Sequence, residues 1–158
     1  MLKLSNKTLL ATALLLAVLL AGVAAEKLMP SADQPVSLTL PLDKSCDLQK
    51  SACSSDLPGG GKLTLSIMPR PIPVLRPLKL EVTVEGARAE TVEVDFAGVD
   101  MKMGYNRPAL QESGAGRFAG EATLPICSVS SMAWRATVLA RLGGKLVAAP
   151  FEFVTSRN

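Results

Sequence analysis

The chain contains no histidine. That single absence removes Ser-His-Asp and Cys-His catalysis, the usual catalytic zinc sites and histidine-based pH switching. Aromatics are also scarce, with one Trp, one Tyr and four Phe in 158 residues. Neither sign of charge dominates: 17 Lys and Arg face 14 Asp and Glu, for a formal net charge of +3. Two of those positive charges, Lys3 and Lys7, lie in the N-terminal leader, so the body stands near +1. This balance excludes a nucleic-acid binder, as does the lack of a basic patch with interleaved aromatics. No paired acids are placed for acid/base work. "PGGGK" at 58–62 lacks the strand-loop-helix context of a phosphate loop. The expectation is a protein that is not an enzyme.

What is present begins with the leader, residues 1–25. Lys3 and Lys7 precede an apolar run from Leu9 to Ala25 that ends in small residues. This is a signal peptide or a membrane anchor, an N-terminal hydrophobic helix in either case. The run falls slightly short of the ~20 residues of a comfortable span, and Val23-Ala24-Ala25 before Glu26 is an acceptable cleavage site. With the lysines on its N-terminal side, the body is sent outside the cytoplasm. The two expected locations are a single-pass inner-membrane protein with its domain in the periplasm, or a periplasmic protein whose leader is cleaved. Residues 26–45 hold three prolines and little periodicity beyond a short "SLTL", and read as a tether.

Residues 46–158 carry period-two alternation. Leu63, Leu65 and Ile67 share one phase, as do Leu78, Leu80, Val82 and Val84, then Val92, Val94 and Phe96. Phe118, Ala122, Leu124 and Ile126 follow, then Met132, Trp134, Ala136 and Val138, and finally Val147, Ala149, Phe151 and Phe153. "PRPIPVLRP" at 69–77 holds four prolines and must be an edge or crossing segment. Six or seven short strands with no convincing helix after the leader predict an all-β fold, an immunoglobulin-like antiparallel β-sandwich with Trp134 anchoring its core.

Three cysteines remain, Cys46, Cys53 and Cys127, in a chain directed to an oxidising compartment. The spacing of Cys46 and Cys53 is too wide for a Cys-x-x-Cys redox motif, so a structural disulfide before the first strand is the expectation. A metal-binding pair is the minor alternative. Cys127 is left over. Met101 and Met103 sit in "GVDMKMGYNRPAL" after the Phe96 strand, out of phase with it, so a bulge or turn near Gly98 would re-aim them. In extended chain they lie on one face, ~6.5–7 Å apart. Cys127 and Met132 cap one end of a hairpin in "LPICSVSSMAW". If both segments share one end of the sandwich, a thiolate and two or three thioethers meet there, a donor set that selects copper(I). The same residues have a packing interpretation. Met132 lies on the core phase, Met101 and Met103 could plug a sandwich end, and Cys127 could be a small buried hydrophobe.

Together, "CDLQKSACSSDLPGGGKLTLSIMPRPIPVLRPLKLEVTVEG", "FAGVDMKMGYNRPAL" and "LPICSVSSMAWRATV" resemble a group of bacterial envelope proteins. These have one N-terminal span and an Ig-like domain, and are similar in style to the FixH-like and YtkA-like proteins, which sit near Sco-type copper chaperones and cytochrome oxidase genes. The resemblance covers about residues 44–155, and "DMxMGxN" and "LPxC…MxW" are its most specific parts. It implies a periplasm-facing copper(I)-binding or copper-relay accessory for respiratory oxidase assembly. The implied metal positions are Met101, Met103, Cys127 and Met132, with Cys46 and Cys53 as the accompanying pair. The implied partners are a Sco-type chaperone or a cytochrome oxidase subunit, besides the inner membrane. The lack of histidine argues against copper(II). The rival expectation, from a different class, is an envelope assembly or interaction module with no metal. It would dock through the edge around Pro69–Pro77, with Met101 and Met103 as a greasy contact patch. A thiol-disulfide enzyme is a third and weaker reading.

Overall fold

The computed structural model describes residues 12, 14–18, 35–126 and 130–156. The chain divides into two units, Met1–Gln34 and Pro35–Asn158. In the first, Thr12 and residues 14–18 are helical, and the rest of the expected leader lies outside the described residues. Among the described residues no helix is long and apolar enough to cross a membrane.

The second unit is mostly β. Its nine strands are β1 (Leu38–Thr39), β2 (Cys53–Asp56), β3 (Lys62–Met68), β4 (Pro77–Glu85), β5 (Ala89–Gly98), β6 (Ala109–Gly114), β7 (Arg117–Thr123), β8 (Ser131–Leu142) and β9 (Lys145–Ser156). They form one curled sheet in the order β1-β9-β8-β5-β6-β7-β4-β3-β2. Two features depart from a purely antiparallel sandwich. β1 pairs with β9 in parallel, through Leu38–Val147 and Thr39–Ala148, so the sheet is mixed. β6 pairs with both β5 and β7, so the two halves are continuous. The short β1 falls in the proline-bearing stretch 26–45. It is held by hydrogen bonds from Ser37 N to Leu146 O and from Leu40 N to Ala148 O, and Leu40 is buried.

The alternation dictates which face is inside. In β4, Leu78, Leu80, Val82 and Val84 are buried while Lys79 and Glu81 are exposed. The same phase holds for Leu63, Leu65 and Ile67, for Val92, Val94 and Phe96, and for Met132, Trp134, Ala136 and Val138. These side chains join in one core cluster, which is why the sheet curls over them. Trp134 is buried, and its indole Nε1 donates to Thr155 Oγ1 at 3.0 Å, so the one polar atom it brings inside is satisfied. Ile126 breaks the expected phase. β7 ends at Thr123, and Ile126 is exposed in the connection beyond it.

The register places the connections at two opposite rims. At one rim lie the turns 57–61, 86–88, 115–116 and 143–144. At the other lie the longer connections 40–52, 69–76 and 99–108, the described parts (124–126 and Ser130) of the connection between β7 and β8, and the ends of β3, β5, β7 and β9.

Candidate functional site: the sulfur-bearing rim

The rim of long connections holds every described sulfur of the folded unit: Cys46, Cys53, Met68, Met101, Met103 and Met132. Its first component is the expected disulfide. Cys46 and Cys53 are bonded, with Cα atoms 5.8 Å apart. The loop they close carries Leu48, which is fully buried. Arg70 Nε donates to Leu48 O at 3.1 Å, and Ile72 N donates to Gln49 Oε1 at 2.6 Å. Gln49 Nε2 in turn donates to Val154 O on β9. The loop is therefore a plug that ties β9 to the proline-rich connection 69–76. That connection crosses the rim without forming a strand, as its prolines require.

The second component is the connection 99–108. β5 ends at Gly98, opposite Trp134 of β8. Val99 N still donates to Ala133 O at 3.0 Å, and the chain then bends through residues 99–101. It returns alongside β5, where Phe96 N donates to Asn106 O at 2.9 Å and Val94 N to Pro108 O at 3.1 Å. Asn106 Nδ2 donates to Thr123 O at 3.0 Å, which joins this connection to the end of β7. Arg107 pairs with Asp95 at 3.2 Å and lies 5.4 Å from the Tyr105 ring centre. Burial works against the charge of Arg107. The hydrogen bond and the negative charge of Asp95 outweigh it, leaving the guanidinium pKa above its ordinary value.

Within this frame Met101 and Met103 are half-buried against the core, and Met132 is buried at the start of β8. Gly98 reports how close they come. A Cβ placed on it would lie 2.6 Å from Met132 Cε, 3.2 Å from Met103 Cγ and 2.5 Å from the Met101 carbonyl oxygen. Met103 and Met132 thus converge on one point, and each sulfur is one bond from the atom that marks it. The expected turn after Gly98 exists, and Met103 and Met132 both lie against that glycine.

Cys127 lies outside the described residues. The chain before it, up to Ile126, and the chain after it, from Ser130, both belong to this rim. Among the described residues no three His, Cys, Asp or Glu side chains are grouped to hold a metal ion. Methionine sulfur is the soft donor that the described part of this rim presents. Two thioethers converging at a bare glycine fit the soft donor chemistry of copper(I) and offer nothing suited to a hard cation.

Sequence reasoning missed the Leu48 plug and its ties to Arg70, Ile72 and Val154. The contact from Gln49 to Val154 spans 105 positions and leaves no local signal. It also missed β6, whose "ALQESG" has one buried apolar residue, Leu110. No protein-family model matches the chain, and comparison with curated proteins and with solved structures returned no match.

Proposed function

We propose that the rim formed by Met101, Met103, Met132 and Cys127 binds copper(I). The chain would then act as a periplasm-facing copper-relay accessory, tethered to the inner membrane or released by cleavage of its leader. The observation that carries this reading is the meeting of Met103 and Met132 over Gly98. The FixH-like and YtkA-like resemblance of the "DMxMGxN" and "LPxC…MxW" segments, and the immunoglobulin-like sandwich class expected from it, belong to the same proposal. Partners would be a Sco-type chaperone or a cytochrome oxidase subunit, and no catalysis by this chain is invoked. Thioethers hold copper(I) weakly, so a partner with a stronger site could take the ion by ligand exchange. Cys127→Ser and Met101→Leu are each expected to weaken copper(I) binding in competition with a chromogenic chelator while leaving the thermal transition in place. Unchanged affinity in both variants refutes the assignment.

A second reading, the metal-free interaction module, is favoured by one observation. Tyr105, Leu75 and Ile126 are exposed apolar side chains on connections of this same rim. On that reading Met101 and Met103 pack beneath a contact surface instead of holding an ion. Full-length protein that takes up no copper(I) under reducing conditions favours it.

A further inference from the structure

We infer that Gly98 is the positioning residue of the thioether rim, kept bare so that the turn carrying Met101 and Met103 can fold back over its Cα and bring Met103 beside Met132. Among the described residues seven glycines have positive φ and serve turns, and Gly98 is not among them. Its backbone is one that any residue could adopt. It ends β5 directly opposite the core residue Trp134, where a glycine brings only weaker strand packing. What requires glycine at this place is space. A Cβ here would lie 2.5 Å from the Met101 carbonyl oxygen, which is backbone and cannot rotate away. Met132 Cε, at 2.6 Å, ends a flexible side chain that can shift, and Met103 Cγ, at 3.2 Å, need give only slightly. The return of the 99–103 turn over Gly98 is therefore what requires glycine, and the two thioether side chains lie in the space it leaves. Gly98 itself offers no side-chain donor, so its role is exercised through the sulfurs. The role goes beyond the copper proposal, because it concerns how the sulfurs are brought together whatever they then bind.

The test uses full-length protein with methyl-labelled methionine. In the wild type, cross-peaks are expected from the Met132 ε-methyl to the Gly98 α-protons and to the Met103 side chain. Gly98→Ala is expected to lose the Met132–Met103 cross-peak while Trp134 emission, the sign of an intact core, stays as in the wild type. If the rim binds copper(I), the same variant loses about 10–100-fold in affinity, the range for residues that orient metal ligands without touching the metal. A Gly98→Ala protein that keeps the cross-peak overturns the inference, whereas one that loses the cross-peak but keeps the wild-type copper(I) affinity supports the positioning role and sinks the copper assignment. Where Gly98→Ala does not fold, absent wild-type cross-peaks overturn the inference. Present ones support it when Gly104→Ala, whose added Cβ meets nothing within 4 Å on the same connection, folds and keeps the Met132–Met103 cross-peak, and overturn it when Gly104→Ala fails likewise. A wild type that shows the cross-peaks but binds no copper(I) sinks the copper proposal and leaves Gly98 in its place.

Discussion

The two rims of the sheet are built from different materials. One is closed by short turns, and the seven positive-φ glycines among the described residues, Gly59, Gly60, Gly61, Gly86, Gly116, Gly143 and Gly144, lie there. The other carries the four long connections, the disulfide and the described sulfurs of the folded unit. Tight turns need only backbone freedom, which glycine supplies. Long connections carry side chains that must be tied down, and here they are tied by Leu48, Gln49, Arg70 and Asn106. The contrast teaches where variation could alter function and where it would alter only the stability of the scaffold.

The contrast can be broken hardest at the plug. Leu48→Ala is expected to cost about 2–5 kcal/mol, as for other fully buried leucines, and Cys46→Ser with Cys53→Ser about 2–3 kcal/mol. Urea denaturation followed by Trp134 emission measures both. A loss under about 1 kcal/mol in either would show that the plug is not a structural element. The glycine rim offers a graded comparison. Gly116 has φ +70°, and an added Cβ would lie 2.5 Å from Val84 O; Gly143 has φ +54° and open space around it. Gly116→Ala is therefore expected to cost more than Gly143→Ala, with the second near the ~1–2 kcal/mol of left-handed backbone alone. If the opposite rim binds copper(I), neither should change that affinity. An effect on binding from that side would erase the distinction between the rims.

The smallest expected effect concerns Asp43, at the edge of the plug. Ser45 donates to its carboxylate from both the hydroxyl and the backbone N–H, and these bonds hold its pKa below the ordinary carboxylate value. A depressed folded pKa contributes stability above the unfolded value, and that contribution disappears as pH falls through the folded one. Ser45→Ala should raise the Asp43 midpoint in an NMR titration. A midpoint that does not move removes the hydroxyl as the cause.

Much of the fold was legible because period-two alternation states which side chains go inside. Leu78 to Val84 and Met132 to Val138 follow it position by position. β1 was hard to read because two residues held by backbone bonds to β9 carry no pattern of their own. Ile126 was misread because alternation does not announce where pairing stops. At the rim, the Met-x-Met spacing and the turn after Gly98 were visible, whereas the approach of Met132 depends on the β5–β8 register, which pairs positions far apart in the chain.

The parallel pairing of β1 has a practical consequence. A shortened protein starting at Cys46, the boundary that composition suggests, would lack Leu40 and would bare the outer margin of β9 at Leu146–Ala148, backbone that β1 now occupies. Unclaimed amides and carbonyls along a long apolar strand recruit strands from neighbouring molecules. Such a truncation should self-associate, eluting at a higher apparent mass on size exclusion than a protein starting at Pro35.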